Sequence, residues 1–445
     1  VTVEAAFECW GRYPRASHRA RAVHWRGEHV LRGAERPVLP YGLGRSYGDV
    51  CLNDHGTLLC TRGLDRFLAF DPDAGVLECE AGVTLGEALD LVAPRGFFLP
   101  VVPGTAQVTI GGAIANDVHG KNHHRSGTFG AHVLELELLR SSGERLVCSA
   151  TSHPELFRAT IGGLGLTGLV LRARFRLWRG GAARVAAETV PFSSLARWFE
   201  LAEESDAAHE FTVAWIDAAA RGAKLGRGVL HRGSFVDAAS PRAALRKPHF
   251  ARPPVLGVPF ALPFSPLRRS TVAVFNALYH ARARARGGRV EADARSFFFP
   301  LDAVGHWNRL YGQAGLQQFQ CVLPPASAQA ALAEILDRAA RSGEGSFLAV
   351  LKRFGGAASP GLLSFPREGV TLALDFPNRG DRTRRLLADL HAVVAASGGR
   401  IYPAKDAAMS PEQFHAQYAE ALPAFRRQRD PAFSSSFWRR VNGDG

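Results

Sequence analysis

The sequence predicts an α+β protein of two domains, with the second inserted into the first. Three observations predict it. Residues 1–183 are rich in glycine and β-forming residues, residues 184–399 alternate strand-like apolar runs with amphipathic helices, and residues 400–445 return to the first texture. A chain that leaves one texture and comes back encodes domain one, then domain two, then the completion of domain one. With 445 residues, 46% of them hydrophobic, it is long enough to bury a sizeable core.

The elements follow in order. Residues 37–40 (PVLP) form a short strand leading into the glycine-punctuated loop YGLGRSYGD at 41–49. Residues 75–80 (GVLECE) are a strand. The spacing predicts a helix over 84–94, capped by Thr84, with Glu87 three residues later completing a capping box. Residues 132–149 are a hairpin turning at Ser141-Ser142-Gly143. From 169 to 177, Leu169, Leu171, Ala173, Phe175 and Leu177 alternate with Arg172, Arg174 and Arg176, the pattern of a half-buried strand. In the second domain, 347–351 and 370–376 are strands, and 327–341 and 382–397 are helices. The Pro-rich apolar stretch 248–269, with the arginine-rich 270–289 after it, predicts a mobile loop or exposed basic segment. Apolar residues beside clustered arginine also suit an anionic lipid surface.

Composition narrows the function. The net charge of +13 leaves three partners open: nucleic acid, an anionic membrane surface or a phosphorylated substrate. A genomic bias toward Arg and Ala would give the same number. No nucleic-acid-binding signature is present, so no nucleic-acid partner is expected. The six cysteines (Cys9, Cys51, Cys60, Cys79, Cys148, Cys321) have no CxxC spacing, which argues against a disulfide scaffold and a structural zinc site. The first twenty residues carry no apolar signal region, and no apolar run is long enough to span a bilayer. The expected location is cytoplasmic or peripheral to the inner membrane.

Three glycine-rich loops carry the chemical signal: 41–49, 103–130 and 161–168. Backbone so rich in glycine can approach a ligand closely and turn its N–H groups toward phosphate. Gly163-Leu-Gly165-Leu-Thr-Gly168 matches the dinucleotide fingerprint GxGxxG loosely, but it precedes an alternating strand where that fingerprint needs a helix. No Walker A sequence follows any loop. His119 and His123 are four apart, yet Gly120 lies between them and no third ligand or metalloprotease Glu accompanies them, so no metal is expected. Gln318 and Gln320 are two apart and share a face if they lie on a strand.

The segments YGLGRSYGD (41–49), PGTAQVTIGGAIANDVHGKNHH (103–124), GTFGAHV (127–133), GGLGLTG (162–168), KLGRG (224–228), WNRLYG (307–312), SFLAVLKRFG (346–355), LSFP (363–366), LDFP (374–377) and YPAKD (402–406) are collinear with one family. The chain resembles the vanillyl-alcohol-oxidase-type flavoproteins and, within them, the decaprenylphosphoryl-β-D-ribose 2′-oxidase family. The resemblance implies a two-subdomain PCMH-type FAD-binding domain, with an inserted α+β substrate domain built on an antiparallel sheet. It implies FAD held by Gly42, Gly44, Arg45, Ser46 and Tyr47 on one side. On the other side would be Gly104, Thr105, Thr109, Gly111, Gly112, Ala115, Asn116 and His119, with Leu169 or Val170 near the adenine and Tyr402 by the flavin. Lys405, Tyr47 and His119 become the catalytic candidates. Lys121, Gln318, Gln320, Lys352, Thr371, Ala373 and Lys405 become the substrate candidates.

Two departures from relatives matter. Sugar-alcohol and aldonolactone oxidases of the superfamily often carry a flavin-linking His where this chain has Arg45, so non-covalent FAD is expected. Mycobacterial members carry Cys, Asn and Cys where this chain has Asn116, Thr371 and Ala373, which bears on substrate selectivity. The implied reaction is FAD-dependent oxidation of the 2′-hydroxyl of a polyprenylphosphoryl-β-D-ribose, with a short-chain reductase as partner completing epimerisation to the arabinose donor used in arabinan and cell-wall biogenesis. A soluble alditol or aldonolactone oxidase is the alternative.

Overall fold

The computed structural model describes residues 7–180, 184–236, 249–254 and 256–443. Its elements assemble into three larger sheets. The first is a parallel sheet of three strands, with Thr57–Cys60 between Arg19–Ala22 and Val38–Tyr41. Its central strand is covered on both faces, which explains the consecutive buried Leu58 and Leu59. The second sheet is antiparallel, in the order Phe67–Asp71, Val76–Glu80, Leu169–Arg176, Val133–Leu139, Arg145–Ser149. Its alternating residues Leu77, Cys79, Leu136, Ala173 and Phe175 fill one core. On its other face Arg172 meets Glu78, Glu135 and Glu137 at 2.9–3.0 Å across three strands.

The third sheet has eight strands, all paired antiparallel: Gly288–Asp293, Arg184–Phe192, Gly228–Phe235, Phe211–Ile216, Ala349–Phe354, Gly369–Pro377, Leu316–Leu323 and Arg400–Ile401. Helices Leu195–Ala208, Pro325–Ser342 and Asp381–Ala396 contribute to the same core as one face of this sheet. Period-two alternation divides its residues. Phe319, Cys321, Ala349, Leu351, Leu372 and Leu374 join the helices in that core. Gln318, Gln320, Val350, Lys352, Thr371 and Ala373 turn to the opposite face. The eighth strand lies beyond residue 399, so the sheet draws on both the 184–399 segment and the C-terminal one.

The last residues return to the first sheet. Val38 N–H donates to Ala432 O at 2.9 Å, and Ser434 N–H donates to Val38 O at 3.0 Å. Arg440 grips Asp49 bidentately at 2.8 and 2.9 Å and also reaches Asp406 at 3.4 Å.

The hairpin over 132–149 forms as expected, as does the Thr84–Glu87 capping box. Two expectations change. The strand placed at 347–351 begins at Ala349, because Ser346 and Leu348 are occupied with Asp375: Asp375 N–H donates to Ser346 Oγ, and Ser346 Oγ–H donates to Leu348 O. Of the two readings of 270–289, the exposed basic segment holds and the mobile loop does not: Arg269–Arg286 is an 18-residue helix with Arg282, Arg284 and Arg286 exposed. Its run of Ala, Arg and Leu without Gly or Pro favours helix, and Val272 and Asn276 are buried. Irregular backbone is confined to the part before it, where Leu256–Gly257 bridges Val304–Gly305; residues 248 and 255 lie outside the described residues. Among the described residues no helix is long and apolar enough to cross a membrane.

Candidate active site

The three glycine loops face the polar side of the eight-stranded sheet across a cavity. One wall comes from 42–47, 104–119 and 165–170. The other comes from Gln318, Gln320, Val350, Lys352, Thr371 and Ala373, with Tyr402, Ala404 and Lys405.

The glycine wall is shaped by what is missing from it. A Cβ on Gly42 would fall 2.5 Å from Thr109 Oγ1, the hydroxyl that caps helix Ile110–Ala115 by accepting from Gly112 N–H. Gly44 has φ +60°, and a Cβ there would meet Tyr41 Oη and Glu8 O. The two loops therefore interlock only as glycine. The N–H groups of Leu43, Gly44, Arg45 and Ser46 find no acceptor among the described residues. Buried Arg45 Nε and Asn116 Oδ1 also have no partner, and the space beside Gly104 is open. Unpaired donors on a glycine-lined wall fit a pyrophosphate-bridged dinucleotide, so the residues present suit FAD. Arg45 is held in place by Trp10, whose ring centre lies 4.3 Å from the guanidinium carbon.

The sheet wall concentrates titratable groups. Strand register sets them side by side: Gln318 opposite Asp375, Gln320 opposite Ala373, Val350 opposite Ala373, and Lys352 opposite Thr371. The Gln320 amide donates to Thr371 Oγ1 and to His119 Nε2, each at 3.2 Å. His119 therefore accepts at Nε2 and carries its proton on Nδ1, which has no partner. Burial, reinforced by Lys352, His123 and Lys405, holds His119 well below the usual imidazole range, so it is neutral at pH 7. Lys405 Nζ sits 3.7 Å from the Tyr47 ring centre with no carboxylate within ion-pair distance among the described residues. Burial pushes it down to about 7, against the pull of Asp375 in the other direction. Burial likewise pushes Lys352 down to about 8. Asp375 is raised to about 7 by burial; Gln318 donates to its Oδ1, and Oδ2 is unpaired.

The structure brings together Gly42, Gly44, Arg45, Ser46, Tyr47, Gly104, Thr105, Thr109, Gly111, Gly112, Ala115, Asn116, His119, Leu169, Val170 and Tyr402. The same cavity takes Gln318, Gln320, Lys352, Thr371, Ala373 and Lys405. Lys121 is the exception and lies outside the cavity. Its ammonium donates to the Phe297 carbonyl, 4.6 Å from that ring centre and outside the cavity lining. The other histidines also turn elsewhere. His123 packs against Phe354 with ring centres 4.3 Å apart and tilted by 36°, and His124 bonds His209 O at 3.1 Å. Among the described residues no metal-ligating cluster forms.

Sequence reasoning missed three groups. Asp375 stands behind Gln318 and Lys405; its alternation with Thr371 and Ala373 was the available signal. Asp302 accepts from Thr105 Oγ1 at 2.6 Å and from Ala106 N–H at 2.8 Å, a contact almost 200 residues apart in sequence that no local pattern shows. Cys51 lines the cavity beside the first glycine loop.

Residues 29–149 match the family described as an FAD binding domain. Over 424 residues the chain is 37% identical to decaprenylphosphoryl-β-D-ribose oxidase of Mycolicibacterium smegmatis, covering 93% of this chain and 91% of that protein. It is 36% identical to an uncharacterised protein of Streptomyces coelicolor, over 81% of this chain and 100% of that one. A putative D-arabinono-1,4-lactone oxidase of Neurospora crassa is 30% identical, over only 33% of this chain and 26% of its own length. The chain is an FAD-binding oxidoreductase and belongs to the family of decaprenylphosphoryl-β-D-ribose oxidase.

Proposed function

We propose that the protein oxidises the 2′-hydroxyl of a polyprenylphosphoryl-β-D-ribose to the 2′-keto compound. A partner reductase of the short-chain type then completes epimerisation to the arabinose donor for cell-wall arabinan. The observation that carries this reading is the meeting of His119, Gln318, Gln320, Lys352 and Lys405 at one wall of a cavity whose other wall is the glycine cradle. The name of the M. smegmatis relative supports the sugar and its lipid phosphate. In this reading the three- and five-stranded sheets are the two FAD subdomains, and the eight-stranded sheet is the substrate floor.

Bound FAD supplies the hydride acceptor that alcohol oxidation requires. The protein's own groups do the rest. Gln318 and Gln320 offer amides that orient ribose hydroxyls, and Lys352 supplies positive charge. Lys405, with its affinity for a proton brought near neutrality, takes the hydroxyl proton at Nζ. Tyr47 forms the wall against which that amine rests.

The test is anaerobic mixing of FAD-loaded protein with farnesylphosphoryl-ribose. Loss of oxidised-flavin absorbance is expected. A flavin that stays oxidised with this substrate, but bleaches with a free alditol or aldonolactone, overturns the assignment. We also propose that FAD is held without a covalent bond, because Arg45 cannot form the linkage. Acid precipitation should leave yellow FAD in the supernatant, and flavin remaining on the pellet would refute it.

A further inference from the structure

From residue 249 to residue 290 the sequence contains seven arginines and no Asp or Glu. In a chain with 41 acidic residues, so long an interval without one sets this surface apart. Arg252, Arg268, Arg269, Arg282, Arg284 and Arg286 are exposed, and none has an ion-pair partner among the described residues.

The same stretch carries the largest group of exposed apolar side chains. Leu256 is 71% exposed, Phe260 66%, Phe264 63%, Val274 61% and Leu278 66%. Monomeric proteins scatter such residues singly; here they are gathered on two consecutive segments. On helix Arg269–Arg286, Val272 and Asn276 point inward. Val274 and Leu278 form an apolar stripe on the outer side, one turn apart, running toward the arginines of the last turns.

The first part of this surface, at Arg252 and Leu256, borders the interior. A second cavity, lined by 251–254, 256–257, 301–302 and 304–307, shares Arg45, Tyr47, Thr105 and Leu301 with the first. Exposed Leu256 and Val304 line it and pair across the Leu256–Gly257 bridge.

We propose that this face docks on an anionic phospholipid bilayer. Phe260, Phe264, Val274 and Leu278 enter the headgroup boundary, and the unpaired arginines meet lipid phosphates. Apolar insertion and charge attraction add on such a surface, and the charge component weakens with salt. A second copy of the chain would place these arginines against one another, so charge favours the lipid. The proposal goes beyond the catalytic reading and stands without it, since a surface can hold the protein whichever alcohol it oxidises.

The test is sedimentation of FAD-loaded protein with vesicles of phosphatidylcholine, alone or mixed with phosphatidylglycerol. Wild type should sediment with the mixed vesicles and be released by raised salt. Charge reversal in Arg282→Glu/Arg284→Glu/Arg286→Glu should lower the partition coefficient at least about tenfold. Phe260→Ser/Phe264→Ser should lower it several-fold at unchanged net charge. Both variants sit on exposed positions outside the two cavities, and flavin content and the unfolding midpoint check that they fold. Wild type that stays in the supernatant with mixed vesicles overturns the proposal. So does equal sedimentation of all three proteins, or a concentration-dependent dimer that both variants abolish.

Discussion

Lys405 and Asp375 have drawn toward the same proton affinity from opposite sides, each to about 7. If neutral Lys405 takes the substrate proton, kcat/KM falls on the acid side of about pH 7. The Asp375 charge raises the affinity of Lys405 for its proton, so Asp375→Asn should move that limb to lower pH. A profile identical to wild type would show that the pair does not govern the step. Lys352 makes a separate prediction. Its value is lowered from an ordinary 10.5 to about 8, so between these limits the folded chain binds fewer protons than the unfolded chain. Stability therefore rises with pH across that window, and the cost of the buried cation is fully present below pH 8. Lys352→Met should stabilise the FAD-free protein by roughly 1–3 kcal/mol at pH 6.5 and by much less at pH 10.5. Turnover should fall at least about tenfold. Denaturant unfolding at the two pH values checks the sign.

At the scale of elements, the glycine loops were legible because their composition has few other uses. The sheet wall was legible only in part. The spacing of Gln318 and Gln320 announced a shared face, but placing Lys352 and Thr371 beside each other required the register of strands distant in sequence. Lys121 resembled its neighbours in motif, yet it lies outside the cavity lining, because the Phe297 carbonyl that claims it is 176 residues away. The exposed basic character of 270–289 was legible, but its helical form was not, because exposed Val274 and Leu278 on the outer side blur the two-faced pattern that marks a helix. The cradle itself can be tested at Gly104, where an added Cβ would have no protein atom within 4 Å. Gly104→Trp should fold with a nearly unchanged unfolding midpoint yet bind FAD about tenfold more weakly or worse. Titration of FAD into apoprotein measures this, and undiminished affinity would place the cofactor elsewhere.

For the whole molecule, the return of the C-terminal segment closes the site from behind. Arg440 joins Asp49, at the end of the first glycine loop, to Asp406, next to Lys405. Both carboxylates are buried, so removing their cation leaves them uncompensated. Arg440→Ala should destabilise the protein by about 3 kcal/mol and loosen flavin retention, because two walls of the cavity lose their common anchor. Thermal unfolding together with flavin release on dilution checks both. The change of texture along the chain pointed to this return, but its contacts span almost 400 residues and no local pattern encodes them.

The cavity also has a character set by its sulfur. Ala373 puts a methyl group where a thiol would fit the strand, and Cys51 is the thiol among the described lining residues. Burial raises Cys51 well above the usual thiol range, and it raises the other five cysteines too. At neutral pH these thiols stay protonated and weakly nucleophilic. The site thus presents no ready soft nucleophile, and electrophiles that capture thiolates should pass through it without forming an adduct.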